Sequence, residues 1–128
     1  MRVAGFTLLE MIVVLAILGL VSALVAPAAI RGIDSWRRQA AMDEMLDGIR
    51  GLPGEARASG QSIEVSDETL GSAAPPLRMD GDWTLAAPDA WQVRANGVCE
   101  GGRVLVRNEL GERTITVAAP FCEAEVVP

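Results

Sequence analysis

Histidine, tyrosine and lysine are absent from the 128-residue chain, and it has only two cysteines. Without histidine, the chain lacks the commonest general base and metal ligand of enzymes, and two cysteines alone cannot form a four-thiolate zinc site. Its net charge of −6 argues against nucleic-acid binding, which needs clustered basic residues for the phosphate backbone. Composition therefore disfavours an enzyme and a nucleic-acid-binding protein, and we expect no metal and no other cofactor.

Hydrophobic residues are concentrated near the start of the chain. Between Phe6 and Ile30, 20 of 25 residues are hydrophobic, against 41 of the 98 that follow. The stretch from Met11 to Ile30 carries no charge, and as a helix it spans about 30 Å, the thickness of a bilayer core. A cleavable secretory signal is the alternative, since residues 26–28 offer small residues, but its apolar region would be only about 7–15 residues long. The pattern favours one membrane-spanning helix.

Glu10 is the one charged residue inside this apolar block. An ionised side chain in hydrocarbon costs about 2.5–3.5 kcal/mol on insertion scales, so such a residue usually has a partner and a function. No basic residue lies within one helical turn of it. Taken alone, Glu10 either sits at the membrane interface, solvated by headgroups, or pairs with a cation from another molecule.

Residues 5–10, GFTLLE, and the apolar run behind them resemble the N-terminus of type IV pilins and type II secretion pseudopilins. The resemblance implies that a prepilin peptidase cuts between Gly5 and Phe6 and that the new N-terminal Phe6 is methylated. It implies that Glu10 pairs with the amine of Phe6 on a neighbouring subunit during assembly. Pro27 falls where many family members have a proline that kinks the helix.

The resemblance also implies a location and a set of partners. It places the chain in the bacterial inner membrane as a single-pass protein with its C-terminal domain in the periplasm. The charges alone leave topology undecided, because Arg2 precedes the span and three arginines follow it. The implied partners are other major and minor pseudopilins, the prepilin peptidase, the inner-membrane assembly platform and membrane lipid.

Four segments make up the predicted organisation. Residues 1–5 form the cleaved leader, 6–30 the transmembrane and assembly helix, 31–58 an amphipathic helix and its continuation, and 59–128 a β-rich periplasmic domain. In the third segment, apolar residues at helical spacing predict a helix packed on its own domain. They are Ile33, Trp36, Ala40, Met42, Met45, Leu46 and Ile49. We expect Trp36 and the methionines to be core or subunit contacts.

Glycine and proline residues interrupt the helical pattern at positions 48, 51, 53 and 54. Both residue types are unfavourable in the interior of a helix. The sequence therefore predicts either a helix that ends near Arg50 or a further short turn over residues 55–59.

The remainder predicts short strands. They cover Ile63 to Ser66, Trp83 to Ala86, Trp91 to Ala95, Val104 to Val106 and Thr114 to Val117. In the last of these, Ile115 and Val117 should face inward and the threonines outward. Asp80-Gly81 and Asn96-Gly97 are hairpin-turn signals. The sum is an α+β fold of the pilin-like kind, in which a long N-terminal helix with a transmembrane upper half packs on a small antiparallel sheet.

Two cysteines and several acidic residues remain to be interpreted. Because export implies an oxidising compartment, we expect Cys99 and Cys122 to form a disulfide, with two reduced, buried thiols as the alternative. Asp80-Gly81-Asp82 lacks the further ligands of a calcium loop and is interpreted as a turn. The acidic residues Glu109, Glu112, Glu123 and Glu125 are interpreted as solvated charge.

The leading functional hypothesis is a minor pseudopilin of a type II secretion system, with no enzymatic activity. Residues 55–65 loosely resemble the passage from helix to first strand in H-type minor pseudopilins, which favours that subtype. The alternative is a minor type IV pilin that serves pilus assembly or DNA uptake. A membrane-anchored periplasmic enzyme is the alternative from a different class, and the lack of histidine weighs against it.

Overall fold

The computed structural model describes residues 4–128. The first three residues of the predicted leader, including Arg2, lie outside the described residues. These residues form two helices and six strands in the order α1 (Leu8–Ser59), β1 (Ile63–Val65), α2 (Asp67–Leu70), β2 (Thr84–Ala86), β3 (Trp91–Val93), β4 (Gly102–Asn108), β5 (Gly111–Ala118) and β6 (Glu123–Val127). It divides into two compact units, one ending at Gln39 and the other beginning at Ala40.

The first unit comprises α1 as far as Gln39 and the residues before this helix. Its large hydrophobic side chains are exposed from Leu8 to Ile30. Among the described residues, α1 is the one helix long and apolar enough to cross a membrane. Pro27 lies inside α1, which is helical on both sides of it, and the kink there stays a prediction. Exposed apolar side chains over this length support the interpretation that the protein is anchored in a membrane.

The second unit is built on the remainder of α1. Its buried face comprises Met42, Met45, Ile49, Leu52, Pro53 and Ala56, spaced three and four residues apart as a helix packed along one side requires. Of the predicted stripe, the two methionines and Ile49 are therefore buried. Ile33 and Trp36, both in the first unit, are 50% and 71% exposed. Trp36 is not part of the core, and its role as a subunit contact stays a prediction.

The predicted interruption of α1 is wrong. A single helix continues past Arg50 through Pro53 to Ser59. The apolar stripe extends through these residues, and the burial of Leu52 and Ala56 outweighs the low helix propensity of the glycines and Pro53. Gly60 ends the helix in the left-handed conformation at φ +68°, and its amide donates to the carbonyl oxygen of Ala56 at 2.9 Å, an arrangement common at helix C-termini.

Two antiparallel sheets complete the second unit. Strands β1 and β3 pair with each other, and the other four pair in the order β2-β4-β5-β6. Ile115 and Val117 are buried as predicted, while Thr116 is exposed. The buried face of α1 and the inner faces of the strands share one hydrophobic core. This arrangement confirms the predicted α+β class and is consistent with a pilin-like fold.

Some local elements differ from their predictions. Glu123 and Glu125 are exposed, but they belong to β6, where Ala124 between them is buried. Their charges are solvated while the backbone pairs with β5. Helix α2 was not predicted; Ser66 caps it by accepting a hydrogen bond from the Thr69 amide.

The two predicted hairpin turns have different outcomes. Asn96-Gly97 does connect paired residues, because Val93 and Cys99 form an antiparallel bridge on either side of it. Asp80-Gly81 does not, because the neighbouring strand β2 pairs with β4, which lies further along the chain. The tightest hairpin joins β4 to β5 between Asn108 and Gly111. It was not predicted, although asparagine at the first and glycine at the fourth position of a turn are favoured.

The second unit contains the predicted disulfide between Cys99 and Cys122. Both half-cystines are buried, and the Cys99 amide donates to the carbonyl oxygen of Pro120 at 2.9 Å. The disulfide therefore links Cys99, which forms a bridge with Val93 of β3, to Cys122, which immediately precedes β6.

Removing the disulfide should lower stability without changing the fold. We expect the paired variant Cys99→Ala, Cys122→Ala to lose about 3 kcal/mol of unfolding free energy, because the loop between the cysteines gains freedom in the unfolded chain. Urea titration of the full chain in detergent, followed by tryptophan fluorescence, measures the change. Reductant should destabilise the wild type and leave the variant unaffected; equal midpoints for oxidised wild type and variant would contradict the prediction.

Candidate functional site

The candidate site is the segment from Gly5 to Glu10, where the chain enters α1. Thr7 is the residue before the helix, and its side-chain oxygen accepts a hydrogen bond from the Glu10 amide at 3.1 Å. Its carbonyl oxygen accepts another from the Met11 amide at 3.2 Å. Thr7 is therefore an N-cap, which satisfies a backbone donor that a helix start leaves without an intrahelical partner.

The cap explains part of the local sequence. Threonine followed three residues later by glutamate is the spacing of a capping box, and the structure shows the half in which the threonine accepts from the backbone. Glu10 thus lies in the first turn of α1, where the helix dipole favours a negative charge. The sequence prediction missed this role, although the Thr-x-x-Glu spacing was a signal for it.

Glu10 itself is exposed. It takes part in none of the ion pairs recorded between residues 4 and 128. The cap binds its backbone amide and leaves the carboxylate accessible. A cation from another molecule can reach this carboxylate without breaking the hydrogen bond to Thr7.

Gly5 and Phe6 precede the helix and have no regular secondary structure. The Phe6 side chain is 77% exposed, and a Cβ at Gly5 would meet no atom within 4 Å. The peptide bond between them is therefore accessible to a peptidase. Because Thr7 and α1 lie beyond this bond, its cleavage removes none of the hydrogen bonds that begin the helix.

The other predicted site residues lie apart from this segment in sequence. Pro27 is in the middle of α1, and the two cysteines join loops of the second unit. Over residues 4–128, no group of three or more acidic or cysteine side chains is arranged to hold a metal ion. The candidate site offers an accessible peptide bond between Gly5 and Phe6 and one exposed carboxylate, that of Glu10.

Comparison with protein families gives a match at the same place. Residues 1–26 match the family described as Prokaryotic N-terminal methylation motif. The matched region includes Gly5, Phe6 and Glu10, and it supports a type IV pilin-like protein, a class that includes both pilins and pseudopilins and is typically non-enzymatic. No curated protein and no solved structure matches the chain.

Proposed function

We propose that the chain is a minor pseudopilin of a type II secretion system, a structural subunit of the periplasmic pseudopilus that drives protein export across the outer membrane. The observation that carries this proposal is the methylation motif over residues 1–26 with an accessible Glu10 carboxylate in the first turn of an apolar helix. Such a helix suits two environments, the membrane before assembly and the centre of a filament afterwards.

The proposed assembly step is the pairing of two charges. Cleavage after Gly5 frees the amino group of Phe6, and an α-amino group carries a positive charge when it is protonated. At about 4 Å, a unit positive and a unit negative charge attract by about 4 kcal/mol in surroundings of intermediate polarity. Pairing the Phe6 amine of one subunit with Glu10 of the next neutralises both groups in an apolar environment and sets their axial register.

Two features favour a minor subunit below the tip. Glu10 is present, whereas the tip subunit of this family tends to lack that acid because no subunit lies above it. The sequence also lacks the calcium-loop pattern of the major subunit, since Asp80-Gly81-Asp82 has no further ligands at the required spacing. Together with the loose resemblance over residues 55–65, these features support the H-type assignment.

The proposed location and partners follow from this function. The chain is held in the bacterial inner membrane by α1, with its acidic C-terminal unit in the periplasm. There it meets the prepilin peptidase, the assembly platform and the other major and minor pseudopilins. An oxidising periplasm agrees with the disulfide.

A minor type IV pilin is the second candidate, because the methylation motif is common to both systems. A pilin that binds DNA needs a basic surface, whereas residues 40–128 contain fifteen acidic residues and seven arginines. That charge balance is the observation that favours secretion over DNA uptake.

Deletion of the gene in the native bacterium distinguishes the two functions. We expect exported proteins to accumulate in the periplasm, while surface pili and DNA uptake stay at wild-type levels. Re-expression of the full chain should restore export. Normal export with lost pili or lost DNA uptake would contradict the secretion assignment, and so would DNA affinity that falls steeply with salt.

A further inference from the structure

The part of α1 directly after its uncharged stretch is basic, although the chain as a whole is acidic. Residues 31–38, RGIDSWRR, contain three of the chain's eleven arginines and one acidic residue. Residues 40–128, by contrast, contain fifteen acidic residues and seven arginines. We refer to four residues of this segment as the basic collar: Arg31, Trp36, Arg37 and Arg38. The collar adjoins the apolar stretch that fits a bilayer core, so it is the segment that meets the bilayer surface.

The collar residues are available to a partner from outside the chain. All four are exposed, and the arginines enter none of the ion pairs recorded for residues 4–128. The nearest acid is Asp34, three residues after Arg31 and four before Arg38. Those are spacings at which helix side chains can pair, yet in this part of the chain no ion pair joins Asp34 to either arginine. Three guanidinium groups are therefore free to bind an anion.

The collar surrounds the helix instead of marking one face. Because an α-helix turns by about 100° per residue, Arg38 lies about 20° from Arg31 around the axis. Arg37 lies about 120° from Arg31 on one side, and Trp36 about 140° on the other. A contact with one neighbouring protein needs its residues on one face, as on the buried face of α1 in the second unit. A bilayer surface encircles a helix that crosses it, and the collar has this distribution.

The position of the collar along the helix also fits a bilayer surface. The polar headgroup layer adds about 5–7 Å on each side of the hydrocarbon core. Arg31 follows the uncharged stretch directly, and Arg38 lies about 10 Å further along the axis. Side chains on a helix lean towards its N-terminus, so those of Trp36, Arg37 and Arg38 lean back towards the headgroups. The whole collar is therefore within reach of the headgroup phosphates.

Phosphate groups match the chemistry of the collar. A planar guanidinium group donates two parallel hydrogen bonds to a phosphate, and each basic residue near an anionic membrane surface strengthens attachment by about fivefold. Tryptophan is enriched at membrane interfaces because its ring is apolar while its N–H needs a polar partner. The acidic excess of residues 40–128 is repelled by such a surface, so the attraction depends on the collar.

The proposed topology makes the position of these arginines unusual. Arginines close to a membrane span are more frequent on the cytoplasmic side, whereas in the proposed topology the collar lies on the periplasmic side. Charge bias in topology therefore does not account for them. Binding to headgroup phosphates does, because these anions are present in the leaflet where α1 leaves the membrane.

We propose that the basic collar binds the phosphate headgroups of anionic phospholipids in the leaflet where α1 leaves the membrane on the side of its C-terminus. The contact holds α1 at a fixed depth while the chain is stored in the membrane, before it joins a filament. The proposal rests on the proposed function only for the side of the membrane on which this leaflet lies.

Quenching of Trp36 by brominated lipid measures which lipids surround the collar. The full chain is reconstituted into vesicles of phosphatidylcholine brominated near the headgroup end of its acyl chains. Unbrominated phosphatidylglycerol, which is anionic, or unbrominated phosphatidylcholine is then mixed in as the competitor. We expect phosphatidylglycerol to relieve the quenching at least about fivefold more effectively. The variant Trp36→Phe, measured in parallel, gives the signal of the other two tryptophans, which is subtracted.

Removing the charges of the collar should abolish this preference. With Arg31→Gln, Arg37→Gln and Arg38→Gln combined, phosphatidylglycerol should compete no better than phosphatidylcholine. The matched control makes the same substitution at three exposed arginines of the second unit: Arg78→Gln, Arg94→Gln and Arg113→Gln. This control should keep the wild-type preference. Far-ultraviolet circular dichroism should show equal helix content in all variants, which separates lost lipid binding from unfolding.

Equal competition by the two lipids in the wild type would overturn the proposal. An unchanged preference in the collar variant, or an equal loss in the control, would do so as well. A Trp36 that is not quenched would place the collar outside the bilayer, with the same consequence. If the lipid preference is absent and the collar variant instead loses self-association, the arginines bind acidic residues of another subunit, and the lipid contact is wrong.

The lipid assay is independent of the gene-deletion test. The vesicles contain no secretion machinery, and quenching reports the lipids beside Trp36 whichever way the chain is inserted. A negative result therefore leaves the proposed function unaffected, and a failure of the gene-deletion test leaves the lipid contact unaffected.

Discussion

A chain with Glu10→Gln is expected to reach the membrane in normal amounts and to enter the filament at least about tenfold less often than the wild type. Glutamine keeps the size of the side chain and removes its charge, so the amine of a neighbouring Phe6 has no anion to neutralise it. The loss of even 1.4 kcal/mol from this pairing corresponds to about a tenfold change in the equilibrium. Fractionation of membranes and of sheared filaments, followed by quantitative immunoblotting, measures both quantities.

The cap at Thr7 provides the matched control for this experiment. Thr7→Ala removes the hydrogen bond to the Glu10 amide at a cost of about 1 kcal/mol to the helix start, yet it leaves the carboxylate charge in place. We expect this variant to assemble nearly as well as the wild type. If Thr7→Ala fails as severely as Glu10→Gln, the role of Glu10 is to begin the helix, and the charge-pair mechanism is wrong.

Substituting Gly5 with alanine is expected to leave the chain uncleaved and Phe6 unmethylated. A Cβ at Gly5 meets no atom within 4 Å in the chain itself, so the substitution does not disturb the protein. A block in processing would therefore mean that the peptidase does not accept alanine at position 5. Because the amino group of Phe6 is not freed, assembly should fail as well. Mass spectrometry of the intact chain recovered from membranes distinguishes the precursor from the methylated product.

The neighbouring residue supplies the comparison. Ala4→Gly changes the adjacent position by a similar amount, and Ala4 is also exposed and outside α1. We expect normal cleavage of this variant. Complete processing of Gly5→Ala, or equal loss of processing in both variants, would show that the assigned cleavage position is wrong.

Local patterns made much of the fold predictable from the sequence. The alternation of threonine with Ile115 and Val117 identifies β5 because a half-buried strand needs that period. The length of α1 was not predictable from its glycines and Pro53, because the burial of Leu52 and Ala56 depends on sheets that form later in the chain. Strand β6 was missed for a related reason: Glu123 and Glu125 face solvent and conceal the pairing of its backbone with β5.

The candidate site was also predictable only in part. Gly5, Phe6 and Glu10 are contiguous in sequence and identifiable as a motif. The role of Thr7 was missed although its spacing to Glu10 indicates a cap. The groove between α1, the turn at Gly97 and the loop at Phe121 was not predictable, because these three segments are far apart in sequence and only the folded chain brings them together.

The disulfide has a consequence beyond stability. Val98 and Phe121, two exposed apolar residues that line a groove beside α1, are the immediate chain neighbours of Cys99 and Cys122. The covalent link therefore joins the two loops that carry these side chains, although the cysteines are 23 positions apart in the chain. Reduction would allow the two loops to fluctuate more independently, while the strands beside them keep their pairing.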